Sequence, residues 1–522
     1  MRSLRFFSRS VVAMLLVVLT ASLSSPVSRA NQLSAILKAQ QRPAVSRTAP
    51  APEAPELVFA KAVTYDTNLV SPFSIAVGDL NGDGNLDLVV GAALAGNGDL
   101  SVLFGNGDGT FKAPVNYVSG GSGYVSVAIA DVNGDGHPDL VFTDACQSAS
   151  NCNNGTVNVM LGKGDGTFKK PVSYHSGGVD TDFVAIGDVN GDGQPDLVVA
   201  NACQNVSCTG NGSVSVLFGK GGGRFKAPVT YDSGGARAIS CVIGNLNTDG
   251  FPDLAVANFT SNTVGVLLNN GDGTFGGAVP YNLPAYPHSL VLADLKGDGH
   301  ADLVVGKENG GSLDVLLGNG DGTFQPDVVY PTTGGASWTV ALADLNGDGL
   351  PDVVAATACG SCGQSLDGAL GVLLGNGDGT LQSPLHYKSG GQDSAGLAVG
   401  DFNRDGRPDL VVTNQDSGTV GVLLNLTDAK TTTSVTSSPN PALLNQSVKL
   451  TATVTSFESI PDGSTVSFYS GTSKIGTSTT TDGIASLSTS FSIAKNYTIK
   501  AAYAGGGFFK ASSGTVKQVV NP

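Results

Sequence analysis

A nine-residue pattern, D-x-N-x-D-G-x-x-D, returns seven times along this chain and concentrates most of its evident chemistry. The copies read DLNGDGNLD, DVNGDGHPD, DVNGDGQPD, NLNTDGFPD, DLKGDGHAD, DLNGDGLPD and DFNRDGRPD. Positions one, three, five and nine carry side-chain oxygens, and Gly at position six permits a sharp turn around a small centre. Three carboxylates held in one loop repel each other, whereas a hard divalent ion with six or more oxygen ligands neutralises them. The repeat therefore reads as a calcium loop. The expected ligands are Asp79, Asn81, Asp83 and Asp87 in the first copy and Asp131, Asn133, Asp135 and Asp139 in the second, where the His137 carbonyl is a further candidate. The third copy offers Asp188, Asn190, Asp192 and Asp196, and the fourth Asn245, Asn247, Asp249 and Asp253. Asp294, Asp298 and Asp302 follow in the fifth, Asp344, Asn346, Asp348 and Asp352 in the sixth, and Asp401, Asn403, Asp405 and Asp409 in the seventh. Asn245 removes a charge from copy four, and Lys296 puts an ammonium where copy five needs an oxygen. Those two loops are expected to bind weakly, the fifth to stand empty. An EF-hand is excluded, since the twelfth residues, such as Val90 and Phe142, are apolar and lie in strand-like text.

Loops of this kind need a scaffold, and the copies recur every 49 to 57 residues. Before each stands an apolar alternating run such as VSVAIA; after each stands another, such as LVV or LVFT. A third run ends in text like VLFGNGDGTF, whose Asn-Gly and Asp-Gly pairs make a tight turn into a fourth run such as FKAPVNY. The GNGDGTF segments bring one Asp each and are read as hairpin turns. Four strands per repeat with no helical period between them predict propeller blades, and seven units predict seven blades. The seventh unit stops at GVLLNL, one strand short. Residues 58–65, VFAKAVTY, resemble the fourth-strand text, so this N-terminal segment is expected to complete the last blade and leave no open edge.

Three of the seven units have longer loops between their second and third strands, with 20 residues from the last motif Asp to the first Val of strand three against 13 to 15 elsewhere. Those loops hold Cys146 and Cys152, Cys203 and Cys208, and Cys359 and Cys362, read as three local disulfides. Cys241, in an apolar strand, is expected to be a buried packing residue. Just ahead of the first strands stand Phe73, Tyr124, Asp182, Arg237, His288 and Trp338, a mixed aromatic and polar set that either lines a shallow ligand pocket at the ring axis or plugs its channel. Trp338, the single tryptophan, is the leading aromatic contact for a sugar ring.

The combination DVNGDGHPDLV with GNGDGTF resembles the FG-GAP and VCBS repeat family, the calcium-loop propellers related to the head of integrin alpha subunits. The resemblance spans roughly residues 57 to 425. It implies that the calcium loops share one face, and that the disulfide-bearing loops and the SGG links at Ser119, Ser176, Ser233 and Ser389 share the other. It says little about ligand identity, because such blades occur in adhesins, in lectin-like proteins and as accessory parts of polysaccharide-active enzymes. From about residue 427 the text changes to Thr- and Ser-rich alternation (SVKLTATV, STVSFYS, IASLSTSF, YTIKAAY), which predicts a β-sandwich over 427–522. The run from Tyr503 to Phe509 is similar to the end of bacterial Ig-like domains.

At the other end, Arg2, Arg5 and Arg9 precede an apolar run from Val11 to Leu19 and small residues ending at Ala30, the pattern of a secretory signal peptide over 1–30. Residues 31–56 turn to Ala, Pro and Gln, the composition of a linker. With 28 basic against 43 acidic residues the formal net charge is −15, and no clustered Lys/Arg footprint exists for nucleic acid or an anionic membrane. No later stretch is apolar enough to span a bilayer. The five histidines are dispersed, and there is no HExxH and no nucleophile elbow. The expectation is an all-β protein, a seven-bladed propeller over 57–426 with an Ig-like sandwich. It is secreted or at the cell surface, monomeric, calcium-stabilised and non-catalytic, and it binds an extracellular glycan or protein. The competing reading is a polysaccharide lyase or hydrolase whose site, two carboxylates or a base with an Arg or Lys, lies opposite the calcium loops.

Overall fold

The computed structural model describes residues 57–92, 100–121, 123, 125–146, 154–332, 334–358, 367–428, 431–456, 460–506 and 509–522. The expected signal segment and linker, Tyr124, Cys152, Cys359 and Cys362 lie outside them. Seven sheets of four antiparallel strands follow one another. The innermost strands are Pro72–Gly78, Val127–Ala130, Val179–Gly187, Ala238–Gly244, Pro287–Ala293, Ala336–Ala343 and Ser394–Gly400. Each packs against the innermost strand of the next sheet, and Ser394–Gly400 returns to Pro72–Gly78, so the ring is closed. This is a seven-bladed β-propeller.

The strand order explains the hydrophobic pattern. The second and third strands of each blade are covered on both faces by neighbouring blades; Asp139–Asp144 and Thr156–Met160 are buried along their whole length, and the other blades depart from this only at a strand end or a single position. The innermost strands are buried or half-buried, and the outermost are mostly exposed. Every seam between blades is a separate apolar cluster. In the first, Leu80, Val89 and Leu100 of blade one meet Val127, Leu140 and Phe142 of blade two. Burying each such side chain contributes about 1.5–3 kcal/mol, and the seams repeat around the ring.

Closure happens as the strand count requires. Val63–Asp66 pairs antiparallel with Thr419–Leu423 of blade seven, in the register Val63↔Val422 to Asp66↔Thr419. Phe59 adds a bridge to Asn425. An aromatic zipper runs through most of these seams: the outer-strand Tyr of one blade meets, edge to face, the Phe that follows the glycine-rich turn of the next, while in blade six Leu381 takes that place and packs with Tyr330. Tyr117–Phe168, Tyr174–Phe225, Tyr231–Phe275 and Tyr281–Phe324 all stand 5.5 Å apart between ring centroids. Tyr65 on the N-terminal strand meets Phe111 at the same 5.5 Å and carries the zipper across the closing seam.

Residues from Thr432 onward form two packed sheets, of three and five strands, around Val448, Leu450, Phe468, Ile499 and Tyr503. This is the Ig-like sandwich anticipated from the alternation, here built without cysteine.

Candidate functional site

Each acidic motif forms the loop between the first and second strands of its blade. In blade two, Gly134 and Gly136, at positions four and six, have φ of 80° and 87°, and an added Cβ would meet nothing within 4 Å. Conformation, not space, therefore demands glycine there. Asp131 accepts from the amides of Gly134 (2.7 Å) and Gly136 (2.8 Å), Asn133 from that of Asp135 (2.9 Å), and Asp135 from that of His137 (2.9 Å). The side chains at positions one, three and five thus wind the loop around themselves.

The ninth-position Asp behaves differently from those three. Asp87, Asp139, Asp196, Asp253, Asp302, Asp352 and Asp409 are all 0% exposed. Each bridges the second residue of its own loop to the end of the third strand: Asp139, for example, accepts from Val132 N at 2.9 Å and from Gly162 N at 2.8 Å. Burial pushes Asp87 and Asp196 up to about 6 and Asp139 and Asp409 up to about 7; the two amides oppose the rise and the neighbouring loop carboxylates add to it. A cation in the loop would relieve that strain.

Among the described residues, no group of three or more His, Cys, Asp and Glu side chains is drawn together as a metal cage. The loop carboxylates are instead turned onto the loop amides. The donor chemistry nevertheless suits calcium in six of the seven loops, since oxygens occupy their four side-chain positions and each carboxylate oxygen retains acceptor capacity beyond its amide bond. In blade four the buried Asn245 Oδ1 has no hydrogen-bond donor at all, an acceptor that a cation would satisfy. Two loops contain their own cation. Lys296 Nζ lies 3.0 Å from Asp298 Oδ2 in blade five, and that contact raises the ammonium's pKa. In blade seven, Arg407 grips Asp405 Oδ2 through Nε at 3.0 Å and NH2 at 2.9 Å. The first was anticipated from the sequence. The second was not, although Arg407 at position seven was open to reading.

At the opposite ends of the innermost strands the axial candidates gather. Phe73, Asp182, His288 and Trp338 lie near the starts of their strands, and Arg237 immediately precedes its own. Phe73 of blade one meets His288 of blade five at 6.0 Å and Trp338 of blade six at 6.1 Å, and His288 stands edge-on to Trp338 at 4.7 Å. Blades one and five are far apart in the ring, so these contacts cross the axis and narrow the channel at this end. His288 Nδ1 is 2.8 Å from the Trp338 carbonyl. Burial pulls its pKa down to about 4, against that carbonyl and together with the nearby Arg237 charge. The neutral ring must donate from Nδ1 to the carbonyl, which leaves Nε2 as an acceptor.

The sequence reading missed three members of this cluster. Phe259, at the end of its blade's second strand, has the Arg237 guanidinium 5.0 Å from its ring centre, lies 5.0 Å from Tyr286 and reaches His288 at 6.4 Å. Tyr286 sits in the Leu-Pro-Ala-Tyr-Pro link that replaces the SGG of other blades. Burial raises the pKa of Asp180, and the Arg237 charge opposes the rise. Asp182 is raised well above the usual carboxylate range, chiefly by burial, with Asp180 adding and Arg237 opposing. Two polar atoms here are buried without a partner, Asp182 Oδ2 and Trp338 Nε1. Asp180 and Arg237 also hold φ of 57° and 62°, a left-handed backbone that costs free energy outside glycine.

Of the expected disulfides, Cys203–Cys208 is formed, with Cα atoms 5.0 Å apart. The other two pairings involve residues outside those described. Cys241 is buried, and burial pushes its thiol up to about 12, which makes it inert at neutral pH.

A ring of four-stranded blades, each with an acidic loop between its first two strands, defines a class of repeat propellers. The sequence matches the FG-GAP-like repeat family over residues 79–142, 148–199, 245–305, 294–355 and 358–412, and a further FG-GAP repeat over 182–217. The chain belongs to that family. Residues 435–521 match the bacterial Ig-like domain, group 3. A curated relative, integrin alpha-PS2 of Drosophila melanogaster, is 29% identical over 220 residues, which is 37% of this chain and 15% of the relative. The chain therefore corresponds to a small part of that protein. Among solved structures, an Agrocybe aegerita lectin studied for its recognition of non-reducing terminal N-acetylglucosamine is 22% identical. The match covers 67% of this chain and 87% of the lectin at a TM-score of 0.45. A proposed 6-phosphogluconolactonase from Bacteroides uniformis is 12% identical, covering 66% and 95% at a TM-score of 0.49.

Proposed function

We propose that this protein is a secreted propeller that binds an extracellular glycan or protein ligand without transforming it, with calcium structural in the blade loops. The observation that carries the reading is the axial cluster. Aromatic rings, the exposed Arg237 and two unpartnered polar atoms, Asp182 Oδ2 and Trp338 Nε1, meet where the rigid ring presents its link loops. Membership of the FG-GAP-like repeat family and the integrin alpha relative support a ligand-binding or adhesive role. The signal-like N-terminus and the Cys203–Cys208 bond are consistent with life outside the cytosol. No helix among the described residues is long and apolar enough to cross a membrane.

A second reading, a carbohydrate-active enzyme, is favoured by one specific feature: on the face opposite the acidic loops the buried Asp182 lies within the electrostatic reach of both Asp180 and Arg237. One experiment separates the two. Full-length mature protein is screened in calcium against immobilised glycans and matrix proteins, and the same wells are assayed for reducing ends and unsaturated products. Binding that Trp338→Ala weakens at least tenfold, without product, is the expected result. Product that Asp182→Asn abolishes would establish the enzyme instead, and retention in neither assay would refute the axial site.

A further inference from the structure

The acidic loops differ in one respect that bears on how many ions the ring takes up. Five of the seven motifs contain no Lys or Arg; the fifth contains Lys296, and the seventh contains Arg404 and Arg407. These basic side chains do not simply point into water. Lys296 pairs with the position-five carboxylate Asp298 at 3.0 Å. Arg407 holds the equivalent carboxylate, Asp405, through two nitrogens at 3.0 and 2.9 Å, and its own side chain is only 13% exposed. The same guanidinium donates from NH1 to the Thr427 carbonyl at 3.2 Å and to Asp428 Oδ1 at 3.3 Å, where the chain leaves the ring. Arg404 reaches across the closing seam, its NH2 3.4 Å from the Asp83 carbonyl in the loop of blade one.

We infer that blades five and seven carry a side-chain cation in the place of a metal, so that the chain binds at most five calcium ions and its closing blade does without one. The inference rests on the calcium reading of the other loops. The physical reason is competition for one oxygen. Calcium binding needs the position-five carboxylate together with those at positions one and nine. In blade seven the oxygen Asp405 Oδ2 already accepts from Arg407 twice and from Asn403 Nδ2 at 3.1 Å. A divalent ion would have to displace a forked, half-enclosed guanidinium and then sit beside its charge. In blade five the ammonium occupies the third-position side chain itself, which removes a ligand as well as adding repulsion.

The consequence concerns ring closure. Blade seven is the blade completed by the N-terminal strand Val63–Asp66, and its failure would open the ring. A cation that cannot dissociate keeps that seam's loop neutralised when calcium is withdrawn, while Arg404 ties it to blade one and Arg407 ties it to the exit segment.

The test is the number of calcium ions per folded chain, measured by elemental analysis after equilibration with millimolar calcium. It is made on the full mature protein and on Lys296→Asn, Arg407→Gln and the double variant, with circular dichroism as the folding control. At most five ions on the wild type, one more on each single variant and two more on the double, is the expected pattern. Lys296→Asn lies at an exposed loop position, so it carries the test even if Arg407→Gln fails to fold. Seven ions on the wild type, or an unchanged count on folded Lys296→Asn, would overturn the inference and leave the calcium reading standing. No ion on any variant would overturn both. Hydrogen exchange in chelator provides the second readout. Amides of Asp409–Asn414 and Thr419–Leu423 should keep their protection while the loop-flanking amides of blades two and three exchange faster; equal loss everywhere would contradict a calcium-independent seam.

Discussion

At the scale of single residues, aspartates that look alike in the sequence do different work. Asp139 is fully buried and bridges two amides, whereas Asp108 lies in an exposed turn and accepts from the amide and hydroxyl of Thr110. Asp139→Ala should therefore cost about 2–5 kcal/mol, because it strands two buried N–H donors. Asp108→Ala should leave the denaturation midpoint close to wild type. Equal effects in urea titrations would show that the buried bridge is not the source of the difference. His288 gives a pH prediction with a definite sign. Its folded pKa, about 4, lies below the ordinary 6.5, so the unfolded chain binds the extra proton. Stability from this group is fully present above pH 6.5, declines as pH falls toward 4 and then levels, a loss of up to about 3 kcal/mol. His288→Gln should flatten that part of the stability profile measured by denaturant titration at stepped pH, and an unchanged slope would refute the assignment. Sequence alone identified His288 and Trp338 as neighbours of the axis. It could not reveal that the carbonyl of one fixes the ring of the other, because that bond joins residues 50 apart in different blades.

At the scale of elements, the regularity of the repeat made most of the fold legible. Strand number, blade number and the N-terminal closing strand all followed from counting apolar runs and turns, since each blade must bury both faces of its middle strands. The chemistry between blades was less legible. The Tyr and the phenylalanine after the glycine-rich turn recur in most of the repeats, but their meeting depends on which blade follows which. Blade six shows the substitution that closure requires: blade seven has no Gly-Thr-Phe turn, and Tyr387 meets Phe59 of the N-terminal segment instead, at 5.0 Å. A double-mutant cycle on Tyr117 and Phe168 should give a coupling of about 0.5–1.5 kcal/mol, the value for an edge-to-face pair beyond its buried area. A coupling near zero would mean the zipper is packing without specificity. Phe259 and Tyr286 escaped notice for the opposite reason. They belong to loops that depart from the repeat, and a departure has no period to betray it.

At the scale of the molecule, the formal charge of −15 and the seven acidic loops pose one electrostatic problem. The loop carboxylates account for close to half of the 43 acidic residues, and their mutual repulsion is concentrated on one face of the ring rather than spread over the surface. Lys296 and Arg407 pair with carboxylates in two of the loops, and the other five motifs contain no Lys or Arg. On the calcium reading proposed above, extracellular-type oxygen sites bind the ion at roughly 10⁻⁴ to 10⁻³ M, and millimolar calcium would stabilise each loop by about 0.4–1.4 kcal/mol through mass action. Five such sites would contribute several kcal/mol, a substantial part of the roughly 5–15 kcal/mol by which folded proteins exceed their unfolded states. The seams and the strand ladder do not depend on the ion, so chelation should lower the melting temperature without abolishing the fold. Magnesium, which requires a tighter octahedron and gives up water reluctantly, should restore much less than calcium at equal concentration. Sodium chloride matched for ionic strength screens general repulsion and serves as the control. Differential scanning calorimetry in calcium, magnesium, chelator and matched salt then distinguishes the causes. Recovery by calcium alone supports specific loop sites, and equal recovery by matched sodium chloride would reduce the acidic loops to a surface-charge effect.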